Sequence, residues 1–325
     1  MSGRLAVLRR HAVLTPPSDG ASLVSAAPGP DGELVALWAS RESAEALTSR
    51  TVQPGWASFP DPRTAAPVTV YVATYRPELE AVVTIAEQPL AHARVQPLHG
   101  GHVLLVGARC RWRDGRAEPN AAVYDAEGEL VREGVLGDGI AYLQTTPSGE
   151  IWAGYTDEGV YGNYGWGGRN SPEPIGAPGL IHFTSDLEIA WRYPAGDEFG
   201  GISHCYALNV TGQDAWAYYY TDFPVVRIRA GAVTGRLTGV GGARALVVAD
   251  DRVVLVGGYG RGEGRVVVGS MAGEDFQVGD PGRLAMPGDR PVPPEATVVG
   301  RGGELHAVAG RYWLKLDFED LVQGA

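Results

Sequence analysis

A turn signal followed by a short apolar strand recurs six times along this chain, and that recurrence limits the fold more than any other feature. The copies are PDGELVALWA at 30–39, GGHVLLVGARC at 100–110, SGEIWAGYTD at 148–157, GQDAWAYYYTD at 212–222, DDRVVLVGGYG at 250–260 and GGELHAVAGRYW at 302–313. Gly32, Gly101, Gly149, Gln213, Asp251 and Gly303 hold equivalent turn positions, with intervals of 69, 48, 64, 38 and 52 residues that average about 54. Apolar runs of this length between Gly, Pro, Asp and Asn read as strands and turns. Self-similarity at such a period marks one supersecondary unit used repeatedly. Helical patterning is confined to 42–49 and to FEDLVQ at 318–323.

The 32 residues up to Gly32 and the 22 after Gly303 together equal one further repeat. A segment shared between the two ends of the chain is what a closed ring of blades needs, because an open array leaves sheet edges unpaired. The expected fold is all-β: a six-bladed β-propeller of four-stranded blades, one domain over 1–325, closed by residues 4–14 pairing with the final strands. Seven blades follow instead if the 69-residue interval holds an extra one. Within a repeat, the innermost strand precedes the turn (140–146, 205–210) and the second follows it. Third strands are expected at 68–75, 121–126, 179–185, 224–230 and 264–270, and outer strands at 80–87 and 187–194.

Charge and composition narrow the partners. A formal charge of −11 argues against nucleic acid or an anionic membrane surface. The chain has 26 Arg and a single Lys, so Schiff-base chemistry would rest on Lys315, inside a strand. Cys110 and Cys205 belong to no metal-type spacing and read as buried free thiols. Arg9 and Arg10 stand where a leader would carry its apolar run, and no apolar stretch approaches a membrane span, so a cytoplasmic location is the simplest expectation.

Two groups of residues carry candidate chemistry. Seven positions before each turn stand Ser25, Arg94, Tyr142, Tyr206, Arg244 and Ala296. Nine before stand Leu23, His92, Ile140, His204, Gly242 and Pro294. The intervening set is small and apolar except at Glu295, so period two separates blade contacts from residues aimed at the channel mouth. Arg94 and Arg244 together favour a carboxylate or phosphate; alternatively they neutralise buried carboxylates such as Glu295. The second group lies in the long second-to-third-strand loops, 41–67 of blade one and 157–178 of blade three, expected on one face. Loops of that length are more often functional than decorative. Tyr161, Tyr164 and Trp166 alternate with glycines and form either an aromatic wall or the packing of the loop on its blade.

His204 is the acid–base candidate, with Asp157 or Asp222 as its partner, in a hydrolysis, elimination or cyclisation. Asp157 and Glu158 follow WAGYT as Asp222 follows WAYYYT, if blade four holds one extra residue as a bulge. The alternative for each Asp is a turn cap. Clustered carboxylates at the mouth are also a candidate Ca²⁺ site; no other cofactor is implied. Tyr142, Tyr206 and His92 complete the expected ligand-binding set, and the partner is a small anionic or aromatic molecule. A non-catalytic protein-interaction scaffold is the competing reading.

With these residues in view, the chain resembles the broad six-bladed group that includes TolB-like, lactonase-like and strictosidine-synthase-like proteins. The runs AGYTDEGVYGNYGWG, CYALNV and YYTDFPVVRI look like those of bacterial propellers. Lactonase-like members hold a divalent metal through Glu, Asn and Asp at the channel mouth; no residue-by-residue counterpart occurs in this sequence.

Overall fold

The computed structural model describes residues 4–52, 55, 58–194, 196, 198–273 and 275–325. Its strands form six blades, and the fold is a six-bladed β-propeller. The chain divides into two compact units, Thr15–Tyr193 and Pro194–Ala325, the latter joined by the N-terminal segment to Leu14. Each unit contains three blades.

In the Thr15–Tyr193 unit, blade one runs Ser22–Pro28, Leu34–Ala39, Arg63–Tyr75 and Leu79–Leu90 from inside outward. Blade two uses Ala93–Pro97, Val103–Gly107, Ala121–Tyr124 and Leu130–Gly134, and blade three Ile140–Thr145, Ile151–Tyr155, Leu180–Phe183 and Ile189–Arg192. Leu34–Ala39 and Val103–Gly107 are buried at every position, because both faces of a blade's middle strands are covered. The outer strand Ile189–Arg192 alternates half-buried and exposed residues.

The other unit opens with blade four: His204–Thr211, Asp214–Tyr220, Pro224–Arg229 and Ala232–Leu237. Blade five has Ala243–Ala249, Arg252–Gly257 and Arg265–Ser270, with its outer position split between Gln277–Val278 and Gly282–Ala285. Blade six has Thr297–Arg301, Glu304–Ala309 and Tyr312–Asp317. Arg9–Val13 supplies its outer strand, antiparallel to Tyr312–Asp317, as the repeat count predicts. Leu5–Val7 goes further and pairs in parallel with Gly282–Ala285 of blade five. One short segment therefore completes two blades.

A buried carboxamide joins the three blades within each unit. Gln96, 1% exposed, accepts from Thr145 N at 3.1 Å and donates to Pro28 O at 3.4 Å, linking blades one, two and three. Asn209, fully buried, donates to Leu246 O at 2.8 Å and Gly302 O at 2.9 Å and accepts from Gly302 N at 2.8 Å, linking blades four, five and six. A buried amide left unpaired would cost about 1–3 kcal/mol for each lost group, so satisfying all of them makes these positions specific.

Cys110 and Cys205 are buried free thiols, and burial pushes both up to about 12. Since the thiolate is the reactive form, neither is expected to react with dithionitrobenzoate in the native protein, and both should react in guanidinium chloride. Rapid stoichiometric labelling without denaturant would contradict the packing around them. Lys315 lies in the third strand of blade six and pairs with Glu304 at 2.9 Å. Among the described residues no helix is long and apolar enough to cross a membrane.

Candidate functional site

The starts of the innermost strands carry the first part of the site. In four blades the register against the second strand slips there: between Leu23 and Ser25, Ile140 and Tyr142, Cys205 and Ala207, and Ala243 and Ala245. A slip of this kind inserts one residue and re-aims its side chain. Tyr206 and Arg244 are the inserted residues on the neighbouring first strands of blades four and five. The bulge expected in WAYYYTD therefore lies in the opposing strand, at Tyr206; Asp214–Tyr220 pairs regularly with Pro224–Arg229.

In the Thr15–Tyr193 unit, Arg94 and Tyr142 meet across the first strands of blades two and three. Arg94 Nε donates to Ile140 O at 3.1 Å. Burial pulls the guanidinium below its ordinary value, and Tyr142 acts in the opposite sense. Among the described residues Arg94 makes no ion pair, so its two terminal nitrogens face no carboxylate. The expected alternative partner, Glu295, is exposed rather than buried. His92 does a different job: its backbone N donates to Leu47 O and its Nε2 contacts Ser49 O, both at 2.7 Å. It braces the blade-one insertion.

The second-to-third-strand connections of blades one, two and three converge in this unit, as expected for the two long loops. Blade one contributes the helix Arg41–Leu47, capped by Ser40, and the short pairing of Arg50–Thr51 with Phe59–Pro60. Blade three contributes the helix Asp157–Tyr161, which periodicity did not reveal, and the aromatic run after it. Tyr164 Oη donates to Pro60 O at 2.7 Å, and Trp166 Nε1 donates to Cys110 O at 2.9 Å. Trp112 N donates to Tyr164 O at 2.9 Å. Gly165, at φ 94°, allows this crossing, because a Cβ there would stand 2.2 Å from Trp112 O. The loop is thus tied down across blade two; Tyr161 is 67% exposed, Tyr164 is half-buried and Trp166 is buried.

Beneath the loop lies an ion cluster that no sequence motif marks. Arg109 donates through Nε and Nη2 to the two carboxylate oxygens of Asp138, at 2.9 and 2.8 Å, and through Nη1 to Glu158. Cys110 N adds a bond to Asp138 at 2.8 Å. The Arg109 guanidinium also lies 4.5 Å from the Tyr164 ring centroid. Burial alone would lower Arg109; the two carboxylates more than offset it and hold it above its ordinary value. Glu158 is committed here, while Asp157 beside it is exposed.

In the other unit His204 pairs across the strands with Tyr220, and its ring stands 4.8 Å from that of Tyr206, edge to face. Asp222 lies just beyond that strand, exposed, in a left-handed backbone with φ 61°. His204 and Asp222 therefore share one end of blade four, whereas Asp157 belongs to the Thr15–Tyr193 unit. Among the described residues no group of three or more His, Cys, Asp or Glu is placed to hold a metal ion. Asp138 and Glu158 both already serve Arg109. Among the described residues the donor set does not fit Ca²⁺.

No family profile matches the chain, and no curated protein aligns with it. Solved structures similar to it are propeller proteins of low identity. A catalytically inactive virginiamycin B lyase from Staphylococcus aureus with quinupristin is 10% identical at a TM-score of 0.42, over 95% of this chain and 98% of that one. Apo AztD from Citrobacter koseri is 9% identical at 0.44, over 93% and 84%. The Niastella koreensis GH74 enzyme is 11% identical at 0.39, over 91% and 43%. Likenesses of this degree carry no argument about what the chain binds.

Proposed function

We propose that the protein binds a small organic anion, a carboxylate or phosphate, through Arg94 with Tyr142 beside it. The observation that carries this reading is a half-buried guanidinium, held by Ile140 O through Nε alone and facing no carboxylate among the described residues. Taking an unpaired cation out of water costs several kcal/mol, and an arriving anion offsets that cost with two parallel charge-assisted bonds. The tied-down blade-three loop favours a small-molecule site over a splayed docking surface. His204 and Asp222 share one end of blade four in the other unit and form an acid–base candidate separate from Arg94.

Thermal unfolding with a panel of acetate, benzoate, citrate and inorganic phosphate tests the reading, with glucose as the neutral control. A ligand at 100 times its dissociation constant stabilises by about 2.7 kcal/mol. At least one anion should raise the midpoint at constant ionic strength while glucose does not. Equal midpoints across the panel would contradict it.

A further inference from the structure

Blades four and five carry an aromatic surface that the anion reading does not use. Tyr206, Phe223 and Tyr259 lie with their ring centroids 6.0–6.4 Å apart. Tyr220 joins them 5.6 Å from Phe223, and Tyr218 stacks beneath Phe223 at 5.7 Å. Tyr218 is fully buried, but Tyr259 is 61% exposed and Tyr220 44%. An ideal Cβ on Gly242 would stand 2.8, 2.9 and 3.0 Å from Cδ2, Cε2 and Cγ of Tyr259. Those near-equal distances put Gly242 under the face of the ring rather than at its edge. One face of Tyr259 is covered by backbone, and the opposite face is open.

The support is rigid. Tyr218 Oη donates to Val240 O, and Arg265 Nη2 donates to Gly241 O at 2.9 Å. Thr238 Oγ1 donates to Phe223 O at 2.7 Å and accepts from Val240 N at 3.1 Å. Phe223 itself has φ 54°, directly after Asp222 at φ 61°. Two consecutive left-handed residues, one of them bulky, are uncommon. Strain of that kind persists where the surroundings impose it and often marks a working surface. Its effect here is to turn Phe223 back among the tyrosines.

We infer that the open faces of Tyr259 and Tyr220, on their Tyr206–Phe223 support, form a binding site for one planar aromatic molecule. Size argues against a protein partner. A tyrosine offers about 150–250 Å² in all, so two half-exposed rings present roughly 200 Å², against about 800 Å² per partner in a stable interface. Polarity argues against a sugar. The Tyr259 hydroxyl is spent on Tyr206 at 2.9 Å, and the Tyr218 and Thr238 hydroxyls and one arm of Arg265 are spent on backbone carbonyls. What the surface leaves open is ring face, which suits offset stacking. The site is independent of the Arg94 reading and stands or falls separately.

Saturation-transfer NMR on the intact protein with indole, a flat neutral probe, tests it, with methyl glucoside as the saccharide arm. Indole should receive saturation and the glucoside should not. Tyr259→Ala should raise the indole dissociation constant about tenfold or more, the loss of one good stacking partner. Gly242→Ala should do the same while keeping every ring, because its methyl group displaces Tyr259. Near-ultraviolet circular dichroism confirms that both variants are folded, and Arg94→Met should bind indole as the parent does. Absence of transfer to indole, preference for the glucoside, or unchanged affinity in folded Tyr259→Ala would each overturn the assignment.

Discussion

Asp138→Asn is expected to destabilise the protein by about 3–5 kcal/mol, the cost of breaking a buried ion pair from one side. The Arg109 side chain is 4% exposed and that of Asp138 is fully buried. Asn preserves the shape and can still accept from Cys110 N, but it leaves the guanidinium without its bidentate counter-charge. Glu158, with a side chain 32% exposed, remains as a screened partner, which places the expectation toward the lower end. The double variant Arg109→Met with Asp138→Leu should lose less than Asp138→Asn alone, since it removes both charges together. Urea unfolding midpoints at a common slope measure the difference. A loss below about 1 kcal/mol in Asp138→Asn would show that the cluster is not a working part of the unit. Because Arg109 also lies against Tyr164, amides of 157–178 should exchange faster in that variant.

Much of the architecture was legible because turns and strands leave local signatures. Gly32, Gly101 and Gly149 all have positive φ, at 84°, 79° and 87°, a conformation that selects glycine and so marks the turn in the sequence. Period-two alternation located the strands beside them. Slips in register left no such mark. Counting in twos runs straight through Tyr206 and Arg244, and only pairing with the neighbouring strand shows each as an inserted residue. Blade one extends beyond expectation for the same reason: Arg63–Tyr75 and Leu79–Leu90 pair past Pro67 through two slips that no residue type announces. Asp157–Tyr161 is too short a helix to show periodicity.

The candidate site divides along a similar line. Arg94 stands out in the sequence because its repeat position fixes where its strand begins. Arg109 does not, since one Arg among 26 carries no signal until Asp138 and Glu158 arrive from distant turns. Phe223 and Tyr259 were missed likewise. They lie in different blades, and their contact depends on the left-handed turn at Asp222 and on the bare backbone of Gly242.

Arg94→Met carries the second large effect, and its sign differs between stability and binding. Met conserves much of the volume and removes a half-buried cation that faces no carboxylate, so the unliganded variant should lose no more than about 1 kcal/mol, for the lost bond to Ile140 O. Anion affinity should fall steeply instead: truncating one partner of a buried charge pair costs about 2–5 kcal/mol, or roughly thirtyfold to several-thousandfold in dissociation constant. Arg94→Lys should fall between, since it keeps the charge and loses the fork. The most direct measurement is calorimetric titration of the parent and Arg94→Met with whichever anion stabilises the parent most. The account predicts saturable binding to the parent and at least a thirtyfold loss in the variant; equal affinity in the two would contradict it.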